Sequence, residues 1–205
     1  FENSFQYEII VIDDCSTDNS LANIKSMSLE NLKIFSNNKN KGKGYSIIRG
    51  IENSKGDIIL TTDADLSANI EEFNKLLLFI KKGYSIAIGS RSKKNSKINI
   101  KQNFNRIVLG KVFNLLVRLV LGLNYKDTQC GFKLYESNKI KSIIKLCKIH
   151  RFCTDVEILY LAKLKKISVI EEGIIWNDKK NTSVKLLTDP LNMFYDLLRI
   201  RFTKY

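Results

Sequence analysis

Residues 7–18 read YEIIVIDDCSTD, an apolar run that stops abruptly at a cluster of acidic and hydroxyl-bearing side chains. A short run rich in β-branched residues is typical of a buried β-strand, which we place at Tyr7 to Ile12. The polar cluster from Asp13 to Asp18 then stands at the carboxyl end of that strand. Open α/β sheets bind their ligands at this position.

Strands and amphipathic helices alternate through the first half of the chain. We predict further strands at Leu32 to Phe35, Asp57 to Thr61 and Tyr84 to Gly89. We predict helices at Leu21 to Met27, through Ile47, Ile48 and Ile51, and at Ile70 to Lys81. This alternation predicts an α/β fold with a Rossmann-like, mostly parallel sheet and helices on both faces.

The second half of the chain has a different pattern. After a basic loop from Arg91 to Lys101 we predict a long amphipathic helix from Phe104 to Leu121. Further elements follow as strands at Gly131 to Tyr135 and Ile167 to Trp176, and as helices at Lys139 to Leu146, Asp155 to Lys163 and from near Pro190 onward. We expect most apolar residues of the long helix and of the last helix in the core, with their Lys and Arg side chains near a lipid surface.

Composition sets limits on the class of protein. The 205 residues suit one domain, 1–205, and the net charge of +13 suggests an anionic partner, unless it reflects drift, because Lys is abundant throughout. The four cysteines form no CxxC pair, which favours a reducing compartment. No apolar stretch reaches about 18 residues, so we expect membrane contact to be peripheral. Since the sequence begins at Phe1, we also expect a preceding strand and any membrane anchor to be missing.

Carboxylates follow the strand that ends at Thr61, where Asp63 and Asp65 flank Ala64. Mg²⁺ and Mn²⁺ prefer oxygen ligands and commonly bind through one or two carboxylates plus substrate phosphates. The triplet therefore suits a divalent cation that offsets the charge of a phosphorylated ligand. A solvated acidic turn is the alternative interpretation.

A glycine-bearing loop, NKGKG at 40–44, lies between the two acidic clusters. Its glycines permit close backbone approach to a ligand, and Lys43 can offset phosphate charge. An ordinary turn has the same composition. The two acidic clusters and this loop, occurring in this order along the chain, indicate a function more specifically than any one of them does alone.

The combination resembles the catalytic domain of glycosyltransferase family 2. The residues that carry the resemblance are IVIDDCSTD at 10–18, Asn40-x-Gly42-Lys43-Gly44, DADLS at 63–67 and GSR at 89–91. DTQCGFK at 127–133, Phe152-x-x-Asp155-Val156-Glu157 and Trp176 look like the dolichyl-phosphate glucosyltransferase branch in particular.

The resemblance implies a GT-A (nucleotide-diphospho-sugar transferase) fold, a UDP-sugar donor and a Mg²⁺ or Mn²⁺ cofactor. The implied activity is inverting transfer of a sugar, glucose, to dolichyl phosphate or another polyprenyl phosphate. The implied location is the cytosolic face of a membrane: the endoplasmic reticulum in a eukaryote, the plasma membrane in a bacterium.

The resemblance also implies roles for particular residues. Arg91 and Arg106 match positions that grip the acceptor phosphate, and Asp155 matches a position assigned as catalytic base. Asp63 and Asp65 are the implied metal ligands. The implied donor-binding residues are Asp13, Asp14, Ser16, Lys43 and Asp63, and the implied acceptor pocket is Asp127, Gln129 and Lys133. For Arg91 and Arg106 the alternative interpretation is a solvent-exposed surface charge, and for Asp155 it is a role in orienting the acceptor or a basic residue.

One position departs from the pattern, and other functions stay open. Cys15 stands where the family has Gly, which the chain tolerates if φ there stays below zero. The alternatives are a family 2 transferase acting on a saccharide or another lipid, with Asp155 as essential base, a dolichyl-phosphate mannose synthase using GDP-mannose, and a non-enzymatic remnant that binds nucleotide sugars. Charge alone suggests a nucleic-acid-binding module, but zinc spacing and an aromatic RNA-recognition signature are absent from the sequence, so we expect no nucleic-acid partner.

Overall fold

Alternating strands and helices build the fold, as residues 5–100, 104–177 and 188–205 of the computed structural model describe it. The side chains of residue 100 and of residues 104–106 lie outside this description. The strands are β1 (Ile9–Asp13), β2 (Leu32–Ser36), β3 (Ile58–Thr61), β4 (Ile86–Ser90), β5 (Lys97–Ile100), β6 (Lys133–Glu136), β7 (Val169–Gly173) and β8 (Ile175–Asn177). The helices are α1 (Ser20–Ser26), α2 (Lys43–Asn53), α3 (Glu72–Lys81), α4 (Phe104–Leu121), α5 (Ser137–Ile144), α6 (Thr154–Leu164) and α7 (Thr188–Phe202).

The central sheet has the strand order β3-β6-β4-β7. β4 and β7 are parallel, whereas β6 runs antiparallel to both of its neighbours. Two further parallel pairs, β1 with β2 and β5 with β8, complete the strand pairing of the described residues. The prediction of a mostly parallel sheet is confirmed, and the antiparallel β6 is the exception.

Alternate residues of the central strands face opposite sides of the sheet. Ile86 and Ile88 of β4 and Tyr135 of β6 pack into a cluster with residues of α4 to α7. Ala87 and Leu134 point the other way, into a cluster with α3. Apolar cores therefore lie on both faces of the sheet, and helices cover both.

Two predicted segments differ from the structure. The basic segment after Arg91, predicted as a loop, contains β5, whose four residues are too few to establish a strand pattern. The single strand predicted at Ile167 to Trp176 is two strands, β7 and β8, which pair with different partners. The change of partner falls at Gly173, where a side chain would overlap Asn95.

The long helix α4 buries fewer apolar residues than we expected. Phe113, Val117 and Leu121 lie in the core. On the other side of the helix, Val112 is 51% exposed, Leu115 53% and Leu119 73%. The expectation that most apolar residues of this helix lie in the core is therefore wrong.

The terminal helix α7 also keeps large apolar side chains in solvent, among them Leu191, Tyr195 and Phe202. Met193, Leu197 and Ile200 are the residues that pack onto the core. No helix in the described ranges is long and apolar enough to cross a membrane.

Candidate active site

The acidic residues at the end of β1 accept hydrogen bonds from the loop that follows β1 and from the loop that follows β2. Asp13 accepts a hydrogen bond from the backbone N–H of Ser16, at 3.1 Å. Asp14 accepts hydrogen bonds from the Asn37 amide and from the backbone N–H groups of Lys41 and Gly42, all at 2.8 Å. Asp14 therefore fixes the glycine-bearing loop against the tip of β1.

These contacts decide the charge state of Asp14. Partial burial acts to raise the pKa of the carboxyl, but the hydrogen bonds from Lys41, Asn37 and Gly42 outweigh it and lower that pKa. The carboxylate form is thus the one that organises the loop.

The backbone at Cys15 is left-handed, with φ of 65°. We expected this position to tolerate a residue other than Gly on the condition that φ stays below zero, and that condition is not met. A Cβ in this region crowds the following carbonyl oxygen, so Cys15 is strained where glycine would be relaxed.

Lys43 and Asp63 come together from different parts of the chain. Nζ of Lys43, in the first turn of α2, lies 2.5 Å from Oδ1 of Asp63, which follows β3. The Asp63 carboxylate lies directly over Gly131, where any Cβ would overlap it. The glycine-bearing loop, the tip of β3 and the segment before β6 therefore meet at one point.

Asp65 is exposed, and its Oδ1 accepts the backbone N–H of Ser67 at 2.9 Å. In the part of the chain that the structure describes, no group of three His, Cys, Asp or Glu side chains could hold a metal ion. Two carboxylates nevertheless fit Mg²⁺ or Mn²⁺, because these ions keep waters and take substrate phosphates as further ligands. Asp63 already binds one cation, the ammonium group of Lys43.

Arg91 and Asp127 form a bidentate pair beside this point. Nε and Nη2 of Arg91 lie 2.7 and 2.8 Å from the two carboxylate oxygens, and the backbone N–H of Arg91 adds a third bond. The guanidinium carbon lies 5.2 Å from the centre of the Trp176 ring. Three of the five N–H groups of the guanidinium remain after its two bonds to Asp127.

Burial and mutual attraction act in opposite directions on this pair. Burial would raise the pKa of Asp127, but the charge and hydrogen bonds of Arg91 outweigh it and lower the pKa. Burial would lower the pKa of Arg91, and the Asp127 carboxylate raises it instead. Both groups are therefore charged at neutral pH.

Glu171, a buried residue of β7, supports the pair from behind. Its carboxylate accepts the backbone N–H groups of Lys126 and Asp127, at 3.0 and 2.8 Å. Sequence reasoning missed this residue, because an acidic residue inside a strand gives no signal of which backbone groups it will meet.

Lys133 and Asp155 form a second, more deeply buried pair. Nζ of Lys133 lies 2.6 Å from Oδ1 of Asp155 and also donates to the carbonyl oxygen of Cys130. Lys133 is 1% exposed and Asp155 6%. The pair joins β6 to the first turn of α6, where a carboxylate also complements the helix dipole.

The remaining candidate residues lie nearby or outside the description. The side-chain amide of Gln129 donates to the carbonyl of Phe152 at 3.2 Å, which ties the segment before β6 to the segment before α6. Burial raises the pKa of Cys130 to about 12, so this residue packs as a neutral thiol. Arg106 belongs to the first turn of α4, and its side chain is among those not described.

Two helices begin beside these groups. Gly44, in the first turn of α2, approaches Thr154, the first residue of α6, so closely that a Cβ there would overlap the Thr154 side chain. Helix N-termini carry partial positive charge and free N–H groups, which suits them to phosphate binding. The site thus combines carboxylates, cations and helix N-termini at the carboxyl ends of strands.

Solved structures with the GT-A fold superpose on this chain. Glucosyl-3-phosphoglycerate synthase from Mycobacterium tuberculosis, in complex with uridine diphosphate, is 16% identical and superposes with a TM-score of 0.65 over 96% of this chain and 69% of its own. The same enzyme with Mn²⁺, uridine diphosphate and glucosyl-3-phosphoglycerate gives a TM-score of 0.63 at 16% identity, over 94% of this chain and 67% of that one. The fold predicted from the sequence is confirmed.

The chain belongs to the family Glycosyl transferase family 2, whose model matches residues 3–144. It is 33% identical to a dolichyl-phosphate β-glucosyltransferase of Dictyostelium discoideum, over 97% of this chain and 63% of that protein. It is 30% identical to the Homo sapiens protein of the same name, over 97% of this chain and 64% of the relative. The chain thus spans less than two thirds of the length of these relatives.

Proposed function

We propose that this protein transfers glucose from UDP-glucose to a polyprenyl phosphate such as dolichyl phosphate, with inversion at the anomeric carbon. The family and the names of its relatives support this activity. Residues 1–205 act in this proposal as one catalytic domain. The reaction takes place at the cytosolic face of a membrane, where a lipid phosphate is accessible.

The donor lies across the tips of β1 and β3. Asp63 and Asp65 would hold Mg²⁺ or Mn²⁺, and Asp13 and Ser16 bind the nucleoside. The ion would supply positive charge to offset the negative charge of the leaving diphosphate. Lys43, at the start of α2, supplies a second positive charge at the same place.

The acceptor needs no strong base, because the second pKa of a phosphate monoester is about 6. At neutral pH its attacking oxygen is already largely ionised. The remaining N–H groups of Arg91 bind this phosphate, while Asp127 holds the guanidinium plane in position. The protein mainly orients two anions for in-line attack.

The buried ion pair of Lys133 with Asp155 is the observation that carries the choice of acceptor. A hydroxyl acceptor would require a general base within reach of its proton, and Asp155 is the base that the resemblance implies. Here the carboxylate of Asp155 is held by a buried ammonium group at 2.6 Å. That arrangement suits an acceptor that arrives ionised better than a saccharide hydroxyl.

The proposal is tested by supplying the full-length protein with Mn²⁺, a short polyprenyl phosphate and radiolabelled UDP-glucose, other UDP-sugars or GDP-mannose in parallel. We expect lipid-linked label from UDP-glucose, and its loss in Asp65→Ala. The matched control is Asp57→Ala, which removes an exposed carboxylate just before the start of the same strand.

Each outcome of this assay is informative. Preference for GDP-mannose would reject glucose as the donor sugar while keeping the class of reaction. Full activity in Asp65→Ala would reject the metal site. Transfer to a saccharide but not to the lipid phosphate would reject the acceptor.

A further inference from the structure

Glu157, in the first turn of α6, is a carboxylate that has been given no role so far. It is fully buried, and none of the ion pairs among the described residues includes it. A buried carboxylate without a cation is costly unless hydrogen-bond donors surround it. An apolar side chain would fill the same space at lower cost, so the charge points to a specific task for the two oxygens.

Both oxygens of Glu157 bind the segment that leads into α6, residues 148–154. Oε1 accepts the backbone N–H of Lys148 at 2.8 Å, and Oε2 accepts that of Ile149 at 2.9 Å. The Thr154 hydroxyl donates to the carbonyl oxygen of Ile149 at 2.8 Å and so joins the two ends of the segment. The carboxylate therefore fixes the start of this segment, which an apolar side chain could not do.

The phenol of Tyr205 binds the same carboxylate from a different part of the chain. Its hydroxyl, shortly after the end of α7, lies 2.6 Å from Oε1 of Glu157. Burial and the hydrogen bond to Glu157 raise the pKa of Tyr205, so the phenol keeps its proton and donates it to the carboxylate. A chain of hydrogen bonds therefore connects the end of α7 with segment 148–154.

This segment in turn supports the first turn of α2. The backbone N–H of Tyr45 donates to the carbonyl oxygen of His150 at 2.9 Å. The same oxygen lies so close to Gly42 that a Cβ there would stand 2.7 Å from it, and Gly44 meets the end of the segment in a similar way. Lys43 lies between these two glycines. The position of its backbone, and so the reach of its ammonium group to its carboxylate partner, depends on the segment.

We propose that Glu157 is a positioning residue for the donor end of the site. Held by Tyr205, it fixes segment 148–154. The segment then places Lys43 against Asp63, where the charge of the leaving diphosphate develops. The inference rests on the proposed function and adds to it a residue that acts through Lys43 rather than on a substrate.

The first variant is Tyr205→Phe, because it removes one hydroxyl and leaves the ring and the carboxylate in place. We expect kcat/KM for UDP-glucose to fall by about tenfold in the full-length protein, since a small displacement of a charge near the reacting atoms slows transfer. The matched control is Tyr160→Phe. The Tyr160 ring packs edge-on against that of Tyr205, at 6.3 Å between centres, and loss of its hydroxyl leaves the bond to Glu157 intact. This control should transfer glucose at the wild-type rate.

A double-mutant cycle with Lys43→Gln separates positioning from stability. A change that only destabilises the fold lowers the active fraction by the same factor whether or not Lys43 is present. If Tyr205 acts through Lys43, Tyr205→Phe should change kcat/KM by less than about twofold in the Lys43→Gln protein. Equal factors in both backgrounds would overturn the inference.

Glu157→Gln tests the carboxylate itself. The amide keeps the size of the side chain, but it offers one acceptor oxygen to two backbone N–H groups and turns its own NH₂ group toward the second. We expect a larger loss of kcat/KM than in Tyr205→Phe, and again only in proteins that contain Lys43. Wild-type transfer by a folded Glu157→Gln protein would reject the positioning role.

Binding of UDP in the presence of Mn²⁺, measured by calorimetry, keeps this inference apart from the proposed reaction. Tyr205→Phe should raise the Kd for UDP, and should raise it less in the Lys43→Gln protein. If UDP binds in this Lys43-dependent way but the wild type transfers no glucose, the reaction is wrong and the positioning role remains. If glucose is transferred but Tyr205→Phe matches the wild type in Kd and kcat/KM, the reaction remains and the positioning role is wrong.

Discussion

The left-handed backbone at Cys15 has an energetic consequence that can be measured. Glycine adopts this conformation without a clash, so Cys15→Gly should raise the free energy of unfolding by about 1 kcal/mol. Urea titration of both proteins measures the difference. Cys15→Ser keeps a Cβ and should give no gain, and an equal gain in both variants would contradict strain as the cause.

Gly131 matters because the Asp63 carboxylate rests on it. Gly131→Ala should push that carboxylate away from Lys43 and lower sugar transfer by about 100-fold, the scale of a misplacement of about 1 Å. The rate of transfer at saturating UDP-glucose measures the effect. Gly110→Ala is the control, since a Cβ there meets nothing within 4 Å. Normal transfer by Gly131→Ala would mean that Asp63 tolerates displacement.

At the scale of single residues, the sequence indicated candidate site residues that belong to local motifs. It did not indicate contacts that depend on the pairing of strands distant in the chain. Asp63, Asp65 and Lys43 stand out because they follow strands or open a helix. The support that Glu171 gives to Asp127 depends on the pairing of β7 with β4, which no local pattern encodes. The burial of Lys133 is likewise set by its strand neighbours.

At the scale of elements, Asp14 connects the tip of β1 to the loop that precedes α2. Its pKa is lowered in the fold, so the stabilisation it provides is complete above the ordinary Asp pKa of 3.8 and is lost as the pH falls through the lower, folded pKa. Asp14→Asn should therefore be less stable than the wild type at pH 7, and the gap should close as the pH falls below that value. Urea unfolding at several pH values measures this, and a gap independent of pH would contradict it.

The pair of Lys133 and Asp155 connects β6 to α6, and removing one member leaves a buried charge. Asp155→Leu or Lys133→Met alone should each cost about 3–5 kcal/mol of unfolding free energy. The double variant should cost less than the sum, because no charge is left unpaired. A double-mutant cycle in urea measures the coupling, and simple additivity would show that the two groups do not depend on each other.

The prediction of helices and strands succeeded for elements long enough to repeat their apolar pattern several times. It failed for the short strand β5. α4 begins and ends where the sequence indicated, since a helix of 18 residues repeats its pattern several times. β5 has only 4 residues, too few to establish a pattern, and its identity comes from pairing with β8. The antiparallel direction of β6 also could not be predicted. The alternation of side chains along a strand indicates which face of the sheet each one occupies, and not which way the strand runs.

At the scale of the whole molecule, the alternation of strands and helices was enough to predict the layers and the polar groups at the strand ends. Apolar clusters on both faces of the sheet and polar groups at the strand ends follow from that pattern. The exposed apolar strip of α4 could not be predicted, since the same residues would serve equally well in a core.

The position of β6 in the middle of the sheet bears on the order in which the protein assembles. β3 and β4 are neighbours in the chain, yet each bonds to β6, which comes more than 40 residues after β4. During synthesis, β3 and β4 therefore lack their shared partner until Lys133 to Glu136 have left the ribosome. Pairing between strands that are distant in the chain favours slow folding. It also prolongs the time in which unpaired strand edges can bind other chains.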